Sequence, residues 1–402
     1  MQTSITQSYL ETDLGKRANE ILRNCVHCGF CNATCPTYQL LGDELDGPRG
    51  RIYLIKQILE GKHPTAKTQL HLDRCLTCRN CETTCPSGVQ YSTLIDTGRK
   101  LVTEKVKRSA KQRLLHFSLR KFLLSKHAFS LAVKAGQLFC PVLPGSIKQA
   151  IPQSENINRD WPNREHARKV LLVEGCVQKS LQPATDITAA LVFDKMNIQS
   201  LRIKAGGCCG ALSHHLNAEA EAHSYIKNNI DAWWPLVEAG EVEAITMTAS
   251  GCGVMISDYG KLLTNDKDYA DKAAKISALY KDPCEIIETE NFSATTQAKR
   301  IAFHPPCTLQ HGLKINGKVE AMITALGHEL VEFENKHLCC GSAGTYSITQ
   351  KTISRQLRDN KLNAIENQQP ELIVTANIGC QTHLQGGTAT PVKHWLELLL
   401  PE

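Results

Sequence analysis

No run of apolar residues in this chain approaches the roughly 18 uncharged positions that a membrane-spanning helix needs. The nearest candidate, "HAFSLAVKAGQLFCPVLPGSI" at 127–147, is interrupted by Lys134, Pro141 and Pro144. The first residues, "MQTSITQSYLETDLGKR", are polar and carry acids, so no signal peptide is expected. No G-x-G-x-x-G follows a strand-like run, which argues against a dinucleotide or flavin site of that type. Charge of one sign is also not in general excess. The net charge is +6 over 402 residues, and ten Lys or Arg against the single acid Glu104 concentrate it between Arg99 and Lys126. A wholly basic protein would suggest nucleic acid, whereas one basic stripe suggests a local docking surface. A soluble cytosolic chain of two or three domains, with no nucleic-acid partner, is expected.

Cysteine is what the chain has in plenty, with eighteen residues. Thiols stay reduced in the cytosol, so cysteine clusters there point to metal or redox chemistry. "CVHCGFCNATCP" begins at Cys25 and "CLTCRNCETTCP" at Cys75. Both read C-x2-C-x2-C-x3-C-P, the bacterial ferredoxin run for [4Fe–4S] clusters. Three thiolates two residues apart can wrap one face of a cubane, whereas the fourth, ahead of proline, is too far along the chain and crosses to the other cluster. This assigns Cys25, Cys28, Cys31 and Cys85 to one cluster, and Cys75, Cys78, Cys81 and Cys35 to the second. Zinc is the competing reading. It usually draws on two separated knuckles, which the triple spacing fits poorly. Between the runs, "GPRGRIYLIKQILEGK" places Leu54, Ile55, Ile58 and Leu59 at helical spacing, as expected of a core helix between the cluster loops.

From Gly98 to about Gln137 the pattern is helical and basic, with Leu114, Leu115, Phe117, Leu119, Phe122 and Leu123 among the cations. Three readings stay open: a linker helix packed on its own protein, a docking face for a partner subunit, or peripheral contact with an anionic membrane through 99–126. Pro141, Pro144, Pro152 and Pro162 then mark a linker.

Beyond residue 165 the chain repeats itself. Cys176, Cys208 and Cys209 recur as Cys307, Cys339 and Cys340 at an offset of 131, and Cys252 recurs as Cys380 at an offset of 128. Adjacent Cα atoms lie about 3.8 Å apart, and an unstrained disulfide wants roughly 4.4–6.8 Å, so the paired cysteines are not expected to be bridged. Short apolar runs such as "KVLLVEGC" and "ELIVTANIGC" end at these cysteines, and helical stretches such as "ATDITAALVFDKMN" lie between them. That alternation reads as βαβ units and a parallel sheet, whose strand ends line one edge. Two sites of four thiols are expected: Cys176, Cys208, Cys209 and Cys252, then Cys307, Cys339, Cys340 and Cys380. Each is a candidate for a further iron–sulfur cluster or a redox site, against the alternative of small buried residues. His214, His304 and His383 lie near them and could tune a cluster or shuttle protons, if they are not merely polar surface. Cys140 and Cys284 fit no constellation and read as structural.

The whole chain resembles the iron–sulfur subunits of glycolate oxidase. The two cysteine runs, "GDELDGPRGRIYLIKQ", "NNIDAWWP", "CCGSAGTY" and "TANIGCQTHL" carry the likeness. The C-terminal half is similar to the cysteine-rich domains of heterodisulfide reductase, lactate-utilisation proteins and the anaerobic glycerol-3-phosphate dehydrogenase iron–sulfur subunit. One departure stands out. The heterodisulfide reductase motif ends C-x-x-C, but here Met255 follows Cys252 and His383 follows Cys380, so each site lacks a fifth cysteine.

The resemblance implies an α+β chain in four segments: a mostly helical two-cluster ferredoxin domain at 1–97, a basic helical segment and linker at 98–165, and two α/β parallel-sheet cysteine-rich (CCG) repeats at 166–290 and 298–402. It also implies an electron-transfer subunit of a glycolate dehydrogenase complex, with FAD only on a flavoprotein partner and a quinone-linked acceptor. The expected location is peripheral, on the inner face of the cytoplasmic membrane. The rival readings are a thiol–disulfide catalyst at the CCG sites, or the same relay serving a lactate or glycerol-3-phosphate dehydrogenase.

Overall fold

The computed structural model describes residues 1–139, 160–287, 292 and 297–400. Cys140, Pro141, Pro144 and Pro152 lie outside the described residues. The chain forms two compact units, one of residues 1–117 and 337–358, the other of 118–336 and 359–402.

The first unit is helical. Helix Asp13–Asn24 starts where the Thr12 hydroxyl accepts the Gly15 N–H, and buries Ala18, Ile21 and Leu22. Helix Pro48–Leu59 opens on proline, whose missing N–H would have no helical partner there anyway. Its buried stripe is Ile52, Ile55, Ile58 and Leu59, so Ile52 takes the place expected for Leu54, which is only partly buried. Helix Tyr91–Lys105 packs Leu94, Ile95, Leu101 and Val102 into the same core. Gly98 lets these two helices close up, because a Cβ there would sit 2.5 Å from Ile55 Cγ1. Segment 337–358 belongs to this unit. The Asn80 amide donates to the His337 carbonyl at 3.2 Å, and the Tyr346 hydroxyl donates to the Arg74 carbonyl at 3.0 Å.

The second unit holds two sheets, parallel throughout. One has β1 (Arg168–Leu172) between β2 (Ile198–Leu201) and β3 (Ala244–Thr246). The other runs β5 (Glu329–Leu330), β4 (Arg300–His304), β6 (Leu372–Thr375), β7 (Val392–His394). Residues 170–172 of β1 and all of β6 are buried, as expected when both sheet faces are covered. Helix Pro183–Lys195 is the crossover read from "ATDITAALVFDKMN". Residues of both sheets, from Val170 and Ile198 to Phe303 and Val374, share one core with Trp395, and Cys284 is buried in it as a structural residue. The pattern reading missed β7, whose three residues are too few to show an alternation.

Candidate metal centres

The two ferredoxin-like loops are launched alike from helix C-termini, Cys25 after helix Asp13–Asn24 and Cys75 after helix Ala66–Asp73. Each then bends through two left-handed residues, His27 and Gly29 in the first loop and Thr77 and Arg79 in the second. These bends aim amides inward: the Thr77 N–H donates to Cys75 Sγ at 3.4 Å, and at Cys25, whose thiol burial pushes up, a hydrogen bond from the His27 N–H partly offsets that rise. Three of those four residues have a side chain at φ near +55 to +60°, a conformation held only when the surroundings impose it.

Cys25, Cys28, Cys31 and Cys85 line one cavity of about 430 Å³, and Cys35, Cys75, Cys78 and Cys81 line a second of about 370 Å³. Cys81 reaches both, and Pro48 at the start of the core helix lies between them. Burial pushes the Cys31 thiol up to about 11, with Cys25, Cys85 and Cys28 raising it further. Burial also raises Cys81 far above its ordinary value, followed by Cys78, Cys75 and Cys35. Four mutually repelling thiolates need a cationic centre to ionise together, and this donor set fits an iron–sulfur cubane in each cavity.

Sequence reasoning missed two buried cations here. Arg99 donates to the carbonyls of Leu72 and Cys75 and to the Thr77 hydroxyl, so it braces the second loop and is not part of a basic surface. Arg51 donates to the His71 carbonyl and the Thr37 hydroxyl, 3.7 Å from Asp46. Burial works against its charge, but Tyr91, Cys75 and Cys35 more than offset that. In the sequence neither differs from any exposed helical arginine.

In the second unit, Cys176 follows β1, the Cys208–Cys209 pair follows β2, and Cys252 follows β3, so one sheet edge brings all four together. A hydrogen bond with Cys208 is the largest influence raising the Cys176 thiol. Cys208 is also raised overall: its bond with Cys176 lowers it, but Cys209 and burial prevail. Cys209 bonds in turn to Cys208, which lowers it, and to Cys252, which raises it together with burial. The chain of contacts is Cys176–Cys208–Cys209–Cys252. The pair is held from behind. The Asn229 amide donates to the Cys208 carbonyl at 2.8 Å and to the Tyr259 hydroxyl at 3.1 Å, and that hydroxyl donates to the Cys209 carbonyl at 3.0 Å. Asn229 Oδ1 accepts the Gly207 N–H at 2.7 Å. Asn229 lies in the "NNIDAWWP" stretch, but nothing local marks it as facing the cysteines.

Of the second set, Cys307 and Cys380 lie in the second unit and Cys339 and Cys340 in the first. The pair keeps the local form of its counterpart: Gly341 and Gly210 have φ of +91° and +90°, and each donates its N–H at 3.4 Å to the first sulfur of its pair. Cys307 precedes a π-helical turn, Thr308–Gly312, and Cys380 lies on helix Ile378–Gln385, where it accepts from the Asn377 amide at 3.6 Å.

The histidines separate. His214 and His383 are half-buried. His304 is not polar surface: it ends β4, is fully buried, and has neither ring nitrogen hydrogen-bonded among the described residues. Burial, followed by Lys361 and His383, holds it neutral. An orphaned buried polar group costs about 1–3 kcal/mol.

The continuous helix expected from Gly98 to Gln137 is broken into Tyr91–Lys105, Ala110–Leu124 and Lys126–Phe139. Arg108 pairs with Asp73 and Arg120 with Glu221. Leu114, Leu115, Phe117 and Phe122 are exposed, so this apolar stripe is not packed away. Among the described residues no helix is long and apolar enough to cross a membrane.

The family pattern described as a 4Fe-4S dicluster domain matches residues 21–89, and that of a cysteine-rich domain matches 170–257 and 301–385. Over 401 residues the chain is 51% identical to the glycolate oxidase iron–sulfur subunit of Escherichia coli K12, covering 99% of this chain and 98% of the relative. It is 28% identical to a probable glycolate oxidase iron–sulfur subunit of Bacillus subtilis 168, covering 96% and 94%. A lactate utilization protein A of Geobacillus matches at 27% over 49% of this chain and 84% of its own length. With the dicluster and cysteine-rich patterns in place and identity sustained from end to end, the chain belongs to the glycolate oxidase iron–sulfur subunit family.

Proposed function

We propose that this chain is the iron–sulfur electron-transfer subunit of a glycolate-oxidising complex. The observation that carries the reading is the pair of four-thiol cavities meeting at Cys81. Cys25, Cys28, Cys31 and Cys85 hold one [4Fe–4S] cluster, and Cys75, Cys78, Cys81 and Cys35 hold the other. Bound there, the clusters supply one-electron redox chemistry. Oxidation of glycolate to glyoxylate releases two electrons at once, so it belongs on a flavoprotein partner carrying FAD, which passes them on singly. The chain's own task is to hold its thiolates in place, with Arg51 and Arg99 buried beside the second loop to balance their charge.

Cys176, Cys208, Cys209 and Cys252 extend the relay as a further cluster site, as do Cys307, Cys339, Cys340 and Cys380. The segment carrying Cys339 is tied to the second loop through Asn80 and Tyr346. The domain division we propose follows the sequence: 1–97, 98–165, 166–290 and 298–402.

The electrons leave towards a quinone-linked acceptor. Exposed Leu114, Leu115, Phe117 and Phe122, on a helix that also carries Lys111 and Arg113, support peripheral contact with the inner face of the cytoplasmic membrane. Thiol–disulfide catalysis at the CCG sites is less well supported. Its nucleophile would be a thiolate activated by a lowered pKa, whereas with no metal bound Cys176, Cys208 and Cys209 are all raised, by one another and by burial.

The test is deletion of the gene, which should abolish glycolate-dependent dye reduction in extracts. The wild-type chain should restore it, and Cys28→Ser or Cys78→Ser should not. Unchanged glycolate oxidation would sink the proposal, and selective loss of lactate- or glycerol-3-phosphate-dependent reduction would reassign the partner.

A further inference from the structure

The two cysteine repeats are not equivalent. At an offset of 131, the residue matching His304 is Val173. His304 ends β4 and Val173 directly follows β1, each an inner strand of its sheet, and each lies three residues ahead of the first cysteine of its repeat. Val173 is an apolar residue packed in a hydrophobic core. His304 occupies the matching place with an imidazole that is fully buried and unpartnered at both nitrogens among the described residues.

Its surroundings narrow what it could be for. In the sheet register His304 lies opposite Thr375, whose buried hydroxyl also has no hydrogen-bond partner among the described residues. One ring nitrogen of His304 lies within 4.8 Å of Cys380 Sγ. That sulfur accepts the Asn377 amide, the kind of outer contact that orients a metal-bound thiolate. The cationic side chain nearby is already engaged, since Lys361 Nζ donates to the carbonyls of Asn335 and Lys336. A buried nitrogen at the end of β4 and a buried sulfur on the helix that follows β6 form a coordination pair for a borderline metal, either iron or zinc.

We propose that His304 and Cys380 are ligands of one metal centre, a mixed imidazole–thiolate site, whereas the first cysteine set is all thiolate. This rests on the reading of Cys380 as a metal ligand. It gives the departure from the five-cysteine pattern a chemical counterpart, a nitrogen donor supplied from the strand end. In iron–sulfur centres histidine in place of cysteine raises the reduction potential, so the two repeats would differ in redox role.

The test uses full-length protein purified anaerobically from cells fed 15N-histidine. Iron and zinc per chain are measured, then pulsed EPR of the reduced protein and X-ray absorption at both metal edges. An iron centre should show hyperfine coupling to histidine nitrogen. A zinc centre should show a mixed nitrogen–sulfur shell at about one zinc per chain. Either signature should vanish in His304→Leu and Cys380→Ser, whereas His304→Cys should keep the metal in an all-sulfur shell, which also guards against a Leu variant that does not fold. Unchanged metal content and spectra in both His304→Leu and His304→Cys would overturn the proposal. Cys380→Ser then separates the two layers. If it alone loses metal, Cys380 is a ligand without His304; if it loses none, the reading of Cys380 falls as well.

Discussion

His394 Nε2 donates to the carbonyl of Thr248 at 2.9 Å, joining residues 146 positions apart. The Leu396 N–H donates to Nδ1 of the same ring, so the neutral tautomer is fully satisfied. Burial depresses the His394 pKa to about 4. A depressed histidine stabilises the fold above its unfolded value near 6.5, and that contribution is lost as pH falls towards 4. The loss should reach about 3 kcal/mol, since each unit is worth about 1.4 kcal/mol. Thermal unfolding from pH 7.5 to 4.5 should show it as a falling midpoint, with a shallower slope in His394→Gln.

The side chain of Thr248 serves the opposite trend. Its hydroxyl donates to Asp186 Oδ1 at 2.6 Å, and the Gln178 amide donates to the same oxygen at 2.7 Å. Burial nevertheless raises Asp186 to about 7. A raised carboxyl contributes stability below its unfolded value near 4 that is lost as pH rises through 7. Asp186→Asn removes that penalty. It should stabilise the protein by roughly 2–4 kcal/mol at pH 8 and leave stability at pH 4 nearly unchanged. A wild-type advantage at pH 8 would refute the assignment.

The crossed cysteine sets predict which variants behave alike. Cys28→Ser and Cys85→Ser should damage the same cluster, and Cys78→Ser and Cys35→Ser the other. In each, iron at the ferredoxin sites should fall from about eight to about four per chain. EPR of the reduced variants decides it: a shared residual signal within each pair and different signals between pairs. Grouping of Cys35 with Cys28 would place both sets wrongly.

Gly341 and Gly210 need left-handed backbone alike but differ in the space around them. A Cβ at Gly341 would sit 2.5 Å from the Ser354 carbonyl oxygen, whereas at Gly210 the nearest atom is the Ala222 carbonyl oxygen at 3.1 Å. Alanine at either position costs about 1–3 kcal/mol in backbone strain. Gly341→Ala should lose clearly more than Gly210→Ala, because a backbone oxygen at 2.5 Å must be displaced, whereas one at 3.1 Å needs to give only slightly. Chemical denaturation of the two variants measures the order.

Asn229 makes three hydrogen bonds behind the first cysteine pair, and Tyr259 makes the fourth. Tyr259→Phe should cost about 1 kcal/mol, the usual worth of one net hydrogen bond. Asn229→Ala should cost about 2–4 kcal/mol, because it strands the partly buried Gly207 amide and the buried Cys208 carbonyl together. Equal losses in a melt would show that Asn229 only fills space.

The parts legible in the sequence are those that short-range geometry dictates. The C-x2-C-x2-C-x3-C-P spacing already implies that the fourth cysteine cannot reach its own loop's cluster; Cys85 lines the cavity of the first loop and Cys35 that of the second. The apolar runs before Cys176, Cys252 and Cys380 became β1, β3 and β6, because a strand covered on both faces must be apolar along its length. The helix expected through Val106–Ser109 failed because periodicity does not register a local break.

What escaped the sequence is what depends on residues distant in the chain. Arg99 counted as part of a basic stripe until Leu72 and Cys75 presented it with buried carbonyls. His304 has polar surface as one of its readings from sequence, and only the end of β4 inside the core shows that it is buried. Cysteine spacing in the two ferredoxin-like runs by itself determined the iron–sulfur chemistry, because ligand spacing within a tight loop is covalent geometry. Only the tertiary structure decided which side chains stand behind the sulfurs, because strand order and helix packing bring together residues that no local pattern connects.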